Sequence, residues 1–210
     1  MLLLLFLLTS PRRESVADAP ASDSVTADLD RDGRAETIRI GRGEDPALSV
    51  WRGSRCVHRW LPARWKPWKV AVADMEGDGR LEILVGVFKS TRFIPQPHQC
   101  LFVYGWNGRE AFPKWLGSSM GRPFDDFVTA DLNGDGADEV VVRAGNPGRR
   151  WVMVYAWRGF GFAVERQHGP WTAVSLLKTR DGRVVASTPR GRFSITLHQR
   201  REDAKQKGRG

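Results

Sequence analysis

Short apolar runs bounded by Gly, Pro and Asn recur along most of this chain. Residues 83–87 and 140–142 are almost continuously apolar, which is typical of strands that other layers cover on both faces. No stretch of the sequence keeps the apolar period of an amphipathic helix. The pattern therefore predicts an all-β protein made of many short strands separated by tight turns.

The same short segment occurs three times. Residues 26–38 read TADLDRDGRAETI, residues 72–84 read VADMEGDGRLEIL, and residues 129–141 read TADLNGDGADEVV. A fourth copy, LLKTRDGRVVAST, retains only the Asp-Gly pair at 181–182. Repeats at intervals of about 50 residues are typical of stacked or radially arranged sheets. We therefore expect a β-propeller-like array of about four four-stranded blades.

The repeats divide the chain into a signal-peptide-like segment at 1–21, a repeat domain at 22–199 and a basic, disordered tail at 200–210. The apolar run at residues 2–8 is too short to span a bilayer and resembles the core of an export signal, so we expect an extracytoplasmic protein. A second interpretation makes this run the missing outer strand of the fourth unit, which would leave the protein in the cytoplasm. The expected units are residues 22–66, 67–122, 123–169 and 170–199.

The repeated loops carry the pattern of an oxygen cage. Acidic or amide side chains stand at loop positions 1, 3 and 5, Gly at position 6 and Glu at position 9. Ca²⁺ takes about six to eight oxygen ligands, which alternate carboxylates of a tight loop and the carbonyl of position 7 can supply. The expected ligands are Asp28, Asp30, Asp32, Arg34 and Glu36 in loop one; Asp74, Glu76, Asp78, Arg80 and Glu82 in loop two; and Asp131, Asn133, Asp135, Ala137 and Glu139 in loop three.

The loops do not fit an EF-hand, which is another common Ca²⁺ loop. An EF-hand needs a Glu at position 12 between two helices. Here position 12 is Arg39, Val85 or Val142, and the flanking residues favour strands. Among the three loops, we expect loop one to bind Ca²⁺ more tightly than loop three, because Asp30 is charged where Asn133 is not.

The formal net charge is +9, and Lys and Arg are densest at residues 52–69 and in the tail from Arg200. This distribution fits a solvated face and tail, or a surface for anionic polymers such as nucleic acid, polysaccharide or lipid headgroups. No nucleic-acid-binding motif supports the first of these polymers. Cys56 and Cys100 lack the spacing of a zinc site, and whether they form a disulfide is left open.

Nine Trp residues raise the question of sugar binding, because aromatic faces can stack on sugars. However, Trp51, Trp106 and Trp157 each begin a turn triplet that ends in Gly. We therefore expect these three to occupy equivalent positions and to pack in the core.

The pattern DxDxDGxxE followed by an apolar run resembles the FG-GAP or VCBS-type repeats of integrin α-subunit propellers and of many bacterial extracellular proteins. With the degenerate unit, the resemblance extends over residues 24–199. It implies propeller blades with an ion in the turn between the first two strands of a blade. The chain departs from the family at Glu76, which stands where a shorter Asp or Asn is usual. Family propellers usually have more blades, so four units would make a small ring, an open stack or half of an oligomer.

Nothing in the sequence indicates catalysis. An HExxH motif is missing, and the carboxylates cluster at metal spacing rather than as a separated acid and base. We therefore expect a non-catalytic, Ca²⁺-stabilised, extracytoplasmic binding or scaffold module. The alternatives are a loop-based carbohydrate-active or phosphoester hydrolase and a module for anionic polymers. The expected partner is a protein or glycan rather than nucleic acid. We do not expect this protein to be an integral membrane protein. Whether it forms a homo-oligomer is left open.

Unit two is longer than its neighbours, and its excess residues are expected at 88–99. Long loops on a rigid scaffold are preferred places for binding. The other interpretation packs the apolar residues of this segment under the neighbouring sheet. The expected contact residues are Lys89, Arg92, Phe93 and Ile94.

Overall fold

The computed structural model describes residues 23–117 and 119–197. In this part of the chain, apolar and β-branched runs form fifteen strands, and Ala63–Trp65 forms a 3₁₀ turn. No helix in the described residues is long and apolar enough to cross a membrane. The strands are β1 (Ser24–Ala27), β2 (Glu36–Ile40), β3 (Leu48–Arg52), β4 (Arg55–Trp60), β5 (Lys69–Ala73), β6 (Glu82–Lys89), β7 (His98–Trp106), β8 (Ala111–Leu116), β9 (Phe124–Ala130), β10 (Glu139–Asn146), β11 (Arg149–Trp157), β12 (Phe162–Trp171), β13 (Ser175–Lys178), β14 (Val184–Thr188) and β15 (Gly191–Ile195).

Each strand pairs with the next one along the chain, which gives four antiparallel sheets. Their strand orders are β1-β2-β3-β4, β5-β6-β7-β8, β9-β10-β11-β12 and β13-β14-β15. The first strands of successive sheets are neighbours: β1 contacts β5, β5 contacts β9, and β9 contacts β13. Residues from all four first strands line one cavity of about 320 Å³. The protein is therefore a four-bladed β-propeller, and the predicted all-β propeller is confirmed.

Hydrophobic cores lie between neighbouring blades. Val85 belongs to the core that blade two shares with blade one, which includes Ile38. The next residue back, Leu84, belongs to the core shared with blade three, which includes Val142. Because successive strand residues point to opposite faces, a strand covered on both faces is apolar at every position. This explains the continuous apolar runs of the second strands.

The fourth blade differs from the expected four-stranded blade, because its sheet has three strands within the described residues. The run at residues 2–8, which was a candidate for its outer strand, lies outside those residues, as do the signal-like segment and the tail. Blade three also extends further than expected, since β12 continues to Trp171. A third buried core, which includes Val141 and Val184, joins blades three and four.

Trp51 is not equivalent to Trp106 and Trp157, contrary to expectation. Strand register places Trp51 at the position that Tyr104 and Tyr155 occupy in the next two blades. The physical reason is the turn between the third and fourth strands, which has two residues in blade one and four in the other two blades. Trp106 and Trp157 are buried in the interblade cores, whereas Trp51 is half-buried beneath a guanidinium group.

Neither of the two cysteines forms a disulfide. Cys56 is half-buried on β4, the outer strand of blade one, whereas Cys100 is buried on β7 of blade two. The open question of a disulfide between them is therefore answered in the negative for this structure.

Candidate metal loops

Three acidic loops connect the first and second strands of blades one, two and three. They are loop one (residues 28–35), loop two (74–81) and loop three (131–138), and the Glu at position 9 begins the following strand. The Gly at position 6 has φ values of 83°, 81° and 91°, a region that residues with a Cβ rarely adopt. These glycines, which allow the sharp turn, are Gly33, Gly79 and Gly136.

The Asp at position 1 folds each loop around itself. Asp28 accepts hydrogen bonds from the N–H groups of Asp32 at 3.2 Å and Gly33 at 2.9 Å. Asp74 and Asp131 accept the N–H of the corresponding Gly, at 2.6 and 3.0 Å. Side-chain oxygens that accept nearby N–H groups in this way stabilise a tight turn. The loop backbone is therefore held in shape by its own carboxylates.

The Glu at position 9 is buried in every loop. Glu36 is 0% exposed, and Glu82 and Glu139 are each 4% exposed. In each loop its Oε2 accepts the N–H of the residue at position 2, at distances of 3.1, 3.0 and 2.9 Å. The position-2 residues are the buried Leu29, Met75 and Leu132. Burial and this backbone bond together fix the orientation of the carboxylate.

The second oxygen of the same Glu, Oε1, has a different donor in each loop. In loops one and two the donor is a cationic side chain from another strand, and in loop three it is a neutral amide from the loop itself. Charge-assisted hydrogen bonds are the stronger kind. The three contacts are Arg52 Nε to Glu36 at 2.6 Å, Lys114 Nζ to Glu82 at 2.8 Å, and Asn133 Nδ2 to Glu139 at 3.1 Å.

These donors are reflected in the pKa values. Burial raises the pKa of Glu139 to about 7; the N–H of Leu132 opposes this rise and the charge of Asp135 adds to it. Burial also raises the pKa of Glu82, and the hydrogen bond from Lys114 acts against the rise. Among these interactions, no cationic side chain offsets the rise that burial causes in the pKa of Glu139.

Loop one brings carboxylate oxygens closest together. One oxygen each from Asp28, Asp30 and Glu36 lie within 4.8 Å of one another. The Oδ2 of Asp30 binds Arg52 at 3.2 Å, but its Oδ1 is buried and has no hydrogen-bond partner among the described residues. An unpartnered buried carboxylate oxygen is costly, and a cation between these oxygens would satisfy it. The residues of loop one therefore fit Ca²⁺.

The corresponding side chains of loops two and three are turned to other partners. The Oε1 of Glu76 lies 2.8 Å from Lys114 Nζ and 3.3 Å from the Nε1 of Trp157 in blade three. In loop three, Asn133 Nδ2 also donates to Asp135 at 2.9 Å. The position-7 residues donate their N–H groups to the position-5 Asp: Arg34 to Asp32, Arg80 to Asp78, and Ala137 to Asp135.

Backbone hydrogen bonds join neighbouring loops to each other. The N–H of Leu81 in loop two donates to the carbonyl of Leu29 in loop one, at 3.1 Å. The N–H of Asp138 in loop three donates to the carbonyl of Asp74 in loop two, at 2.6 Å. The three loops are therefore mechanically connected at one end of the propeller.

Sequence reasoning missed Arg52 and Lys114. Both lie far along the chain from the loops they contact, on β3 and β8. The strand register brings Arg52 opposite Glu36, and a β-bulge brings Lys114 to Glu82. Loop spacing carries no signal for either position, because register and bulges are tertiary features.

The expected partner loop is shorter than predicted. Because β6 ends at Lys89 and β7 begins at His98, the connection is residues 90–97, close in length to 41–47 of blade one. Phe93 is 79% exposed, so it does not pack under the neighbouring sheet. Of the other expected contacts, Arg92 is exposed, Ile94 is half-buried, and Lys89 is half-buried with its Nζ 4.7 Å from the ring centroid of Trp65.

Comparison with known proteins agrees with the loop geometry. Residues 28–85, which include loops one and two, match the family model described as FG-GAP-like repeat. No curated protein matches the chain. One matching solved structure is the crystal structure of BBS1N in complex with ARL6DN, soaked with lead; it is 12% identical, the match covers 85% of this chain and 69% of that chain, and the TM-score is 0.42. Loops one and two therefore lie in a segment that is similar to an FG-GAP-like repeat.

Proposed function

We propose that this protein is a non-catalytic, Ca²⁺-stabilised, extracytoplasmic propeller that presents its surface loops to a protein or glycan ligand. The observation that supports the metal most directly is the buried, unpartnered Oδ1 of Asp30 beside the oxygens of Asp28 and Glu36. Hard oxygen ligands of this kind suit Ca²⁺ better than the softer transition metals.

Bound Ca²⁺ would supply positive charge that neutralises the clustered carboxylates. The residues of the chain orient the ligands and hold the shape of the loop. Leu29 orients Glu36 through its N–H, and Asp28 holds the turn at Gly33. The carbonyl of Leu29 also accepts the N–H of Leu81. An ion that fixes loop one would therefore also stabilise loop two and the interface between the first two blades.

A thermal melt tests the metal directly. A ligand that binds only the folded state adds about 2.7 kcal/mol to the free energy of unfolding at a hundredfold excess over its Kd. We expect millimolar Ca²⁺ to raise the Tm above that in chelator, and Mg²⁺ to raise it less. Glu36→Gln should reduce the difference, whereas Asp181→Asn, which alters an exposed ion pair in blade four, should not. Superimposable melting curves with Ca²⁺ and with chelator would contradict the proposal.

The extracytoplasmic location is supported by the apolar run at residues 2–8 and the small residues that follow it. We expect secreted protein to begin near Ser22, which mass spectrometry of exported material would show. A full-length protein retained in the cytoplasm would contradict this part of the proposal and favour the closing-strand interpretation.

Binding of an anionic polymer is the second candidate, and one cavity favours it. The cavity has a volume of about 490 Å³ between blades three and four, and Arg143 and Arg150 both line it. The two guanidinium groups share one carboxylate, Asp125, at 2.8 and 2.7 Å, and Ser175 and Thr188 add hydroxyl groups to the lining. Arrays of neutral and sulfated glycans at two salt concentrations separate the candidates, because only polyanion binding falls steeply with salt.

A further inference from the structure

We propose that Lys114 is the resident cation of loop two, so that this loop keeps its folded shape without Ca²⁺. The inference rests on the proposed Ca²⁺ binding of the repeat, which it makes specific to individual loops. It follows from the position of Lys114, from the length of Glu76, and from comparison with the same positions in blades one and three.

Lys114 reaches loop two because of a β-bulge. In the pairing of β7 with β8, Val103 faces Trp115 and Tyr104 faces Pro113, which leaves Lys114 as the extra residue. Bulges redirect side chains in this way. Its Nζ lies 2.8 Å from Oε1 of Glu82, and its side chain is only 19% exposed.

The same ammonium also binds the carboxylate at loop position 3. Lys114 Nζ lies 2.8 Å from Oε1 of Glu76, so it bridges the oxygens of positions 3 and 9. Glu76 has one methylene more than Asp30 at the same position of loop one, which gives its carboxylate extra reach. A Lys ammonium is a compact point charge. Here it binds two carboxylate oxygens that would otherwise be ligands of a metal ion.

The equivalent bulges in the other blades carry different residues. In blade three the extra residue is Glu165, an acid, which pairs with Arg158. In blade one the extra residue is Val57, which has no charge. Among the three blades whose fourth strand the structure describes, a bulge cation is therefore specific to blade two.

Blade one also contains a cation that bridges loop positions 3 and 9, but it does not satisfy every carboxylate oxygen. Arg52 binds Oε1 of Glu36 at 2.6 Å and Oδ2 of Asp30 at 3.2 Å. The Oδ1 of Asp30 stays buried and unpartnered within the described residues. Among those residues, loop one is also where three carboxylates converge within 4.8 Å, and loop two shows no such group despite its four carboxylates. Loop one therefore retains the metal site that Lys114 replaces in loop two.

Counting bound ions in the full chain tests the inference. Ca²⁺ would be titrated into the chelator-treated protein by isothermal calorimetry, with Tb³⁺ luminescence as a second readout. Lys114→Met should bind one more ion per chain than the natural protein, and its Tm should fall in chelator and recover with Ca²⁺. Arg158→Met removes a cation that does not contact a loop and should leave the ion count unchanged.

A second variant keeps the test independent of how well Lys114→Met folds. In the natural background, Glu82→Gln should leave the number of bound ions unchanged, whereas Asp30→Asn in loop one should lower it by one. If Glu82→Gln also lowers the number by one, loop two binds metal and the role of Lys114 is wrong. An equal ion count in Lys114→Met and the natural protein would likewise overturn it. If the natural protein binds no ion at all, the proposed function fails. The role of Lys114 is judged separately, from the difference in ion count between Lys114→Met and the natural protein.

Discussion

Asp138 and Asp74 are joined by two hydrogen bonds that run in opposite directions. The N–H of Asp138 donates to the carbonyl of Asp74 at 2.6 Å, and the N–H of Asp74 donates to Oδ2 of Asp138 at 3.0 Å. The two residues belong to different blades, so this pair ties loop two to loop three. Burial raises the pKa of Asp138, and the hydrogen bond from Asp74 opposes the rise.

Removing the Asp138 carboxylate should therefore loosen the contact between blades two and three. We expect Asp138→Ala to lower the free energy of unfolding by about 1–3 kcal/mol, because the N–H of Asp74 loses its acceptor. Asp138→Asn retains an acceptor oxygen and should cost less. Urea denaturation measures both, with Asp181→Ala in the exposed turn of blade four as the control. Equal losses for Asp138→Ala and Asp181→Ala would contradict the role of the pair.

A half-buried ion pair lines the cavity between the first strands of the four blades. Lys69 Nζ lies 2.6 Å from Oδ1 of Asp126, and their side chains are 13% and 19% exposed. Removing one member of a buried pair leaves an uncompensated charge and typically costs about 3–5 kcal/mol. Because both side chains keep some exposure, we expect Lys69→Met to lower the free energy of unfolding by less than this, and Lys69→Met with Asp126→Leu to recover much of the loss. A double variant less stable than the single one in urea would show that the pair itself contributes the stability.

Stability should fall in mild acid, in part through His58. Its ring stacks on Trp60 at 5.3 Å, and burial lowers its pKa below the ordinary 6.5, with Glu110 acting in the opposite direction. The unfolded chain therefore takes up a proton at a higher pH than the folded chain, so stability is lost as the pH falls below about 6.5. His58→Phe should reduce the drop in Tm between about pH 7 and pH 5. If His58→Phe leaves the change of Tm with pH as it is in the natural protein, protonation of His58 does not destabilise the folded state.

The exposed tip of residues 90–97 offers a test of the binding surface. Because Phe93 is 79% exposed, Phe93→Ser should change the free energy of unfolding by no more than about 0.5 kcal/mol. The buried Phe102 provides the contrast, since Phe102→Ala should cost about 3–5 kcal/mol. We expect Phe93→Ser with Arg92→Ser to lose binding to the protein or glycan array components that the natural protein retains. Unaltered array binding would place the ligand elsewhere.

Sequence patterns predicted the local structure of this protein well. The loops, the strands that follow them and the loss of the fourth cage at 181–182 all depend on residues close together in the chain. The apolar run at residues 140–142 lies within β10, which begins at Glu139. Gly and Asp positions determine such turns directly, which is why spacing alone was informative.

Features that depend on register were not predictable from spacing. Arg52 and Lys114 reach their loops through cross-strand pairing and a bulge. Trp51 differs from Trp106 because one hairpin turn is shorter, which a repeated triplet conceals. The expected order of Ca²⁺ affinity, from the charge of position 3 alone, likewise took no account of the cations that other strands supply.

The proposed function depends most on a Ca²⁺ ion among the oxygens of loop one. The most direct measurement is a crystal structure of the protein grown with Ca²⁺, with anomalous scattering to identify the metal. We expect one ion within about 2.3–2.6 Å of oxygens from Asp28, Asp30 and Glu36, with the Oδ1 of Asp30 among its ligands. A loop that holds only Arg52 against these carboxylates at saturating Ca²⁺ would contradict it.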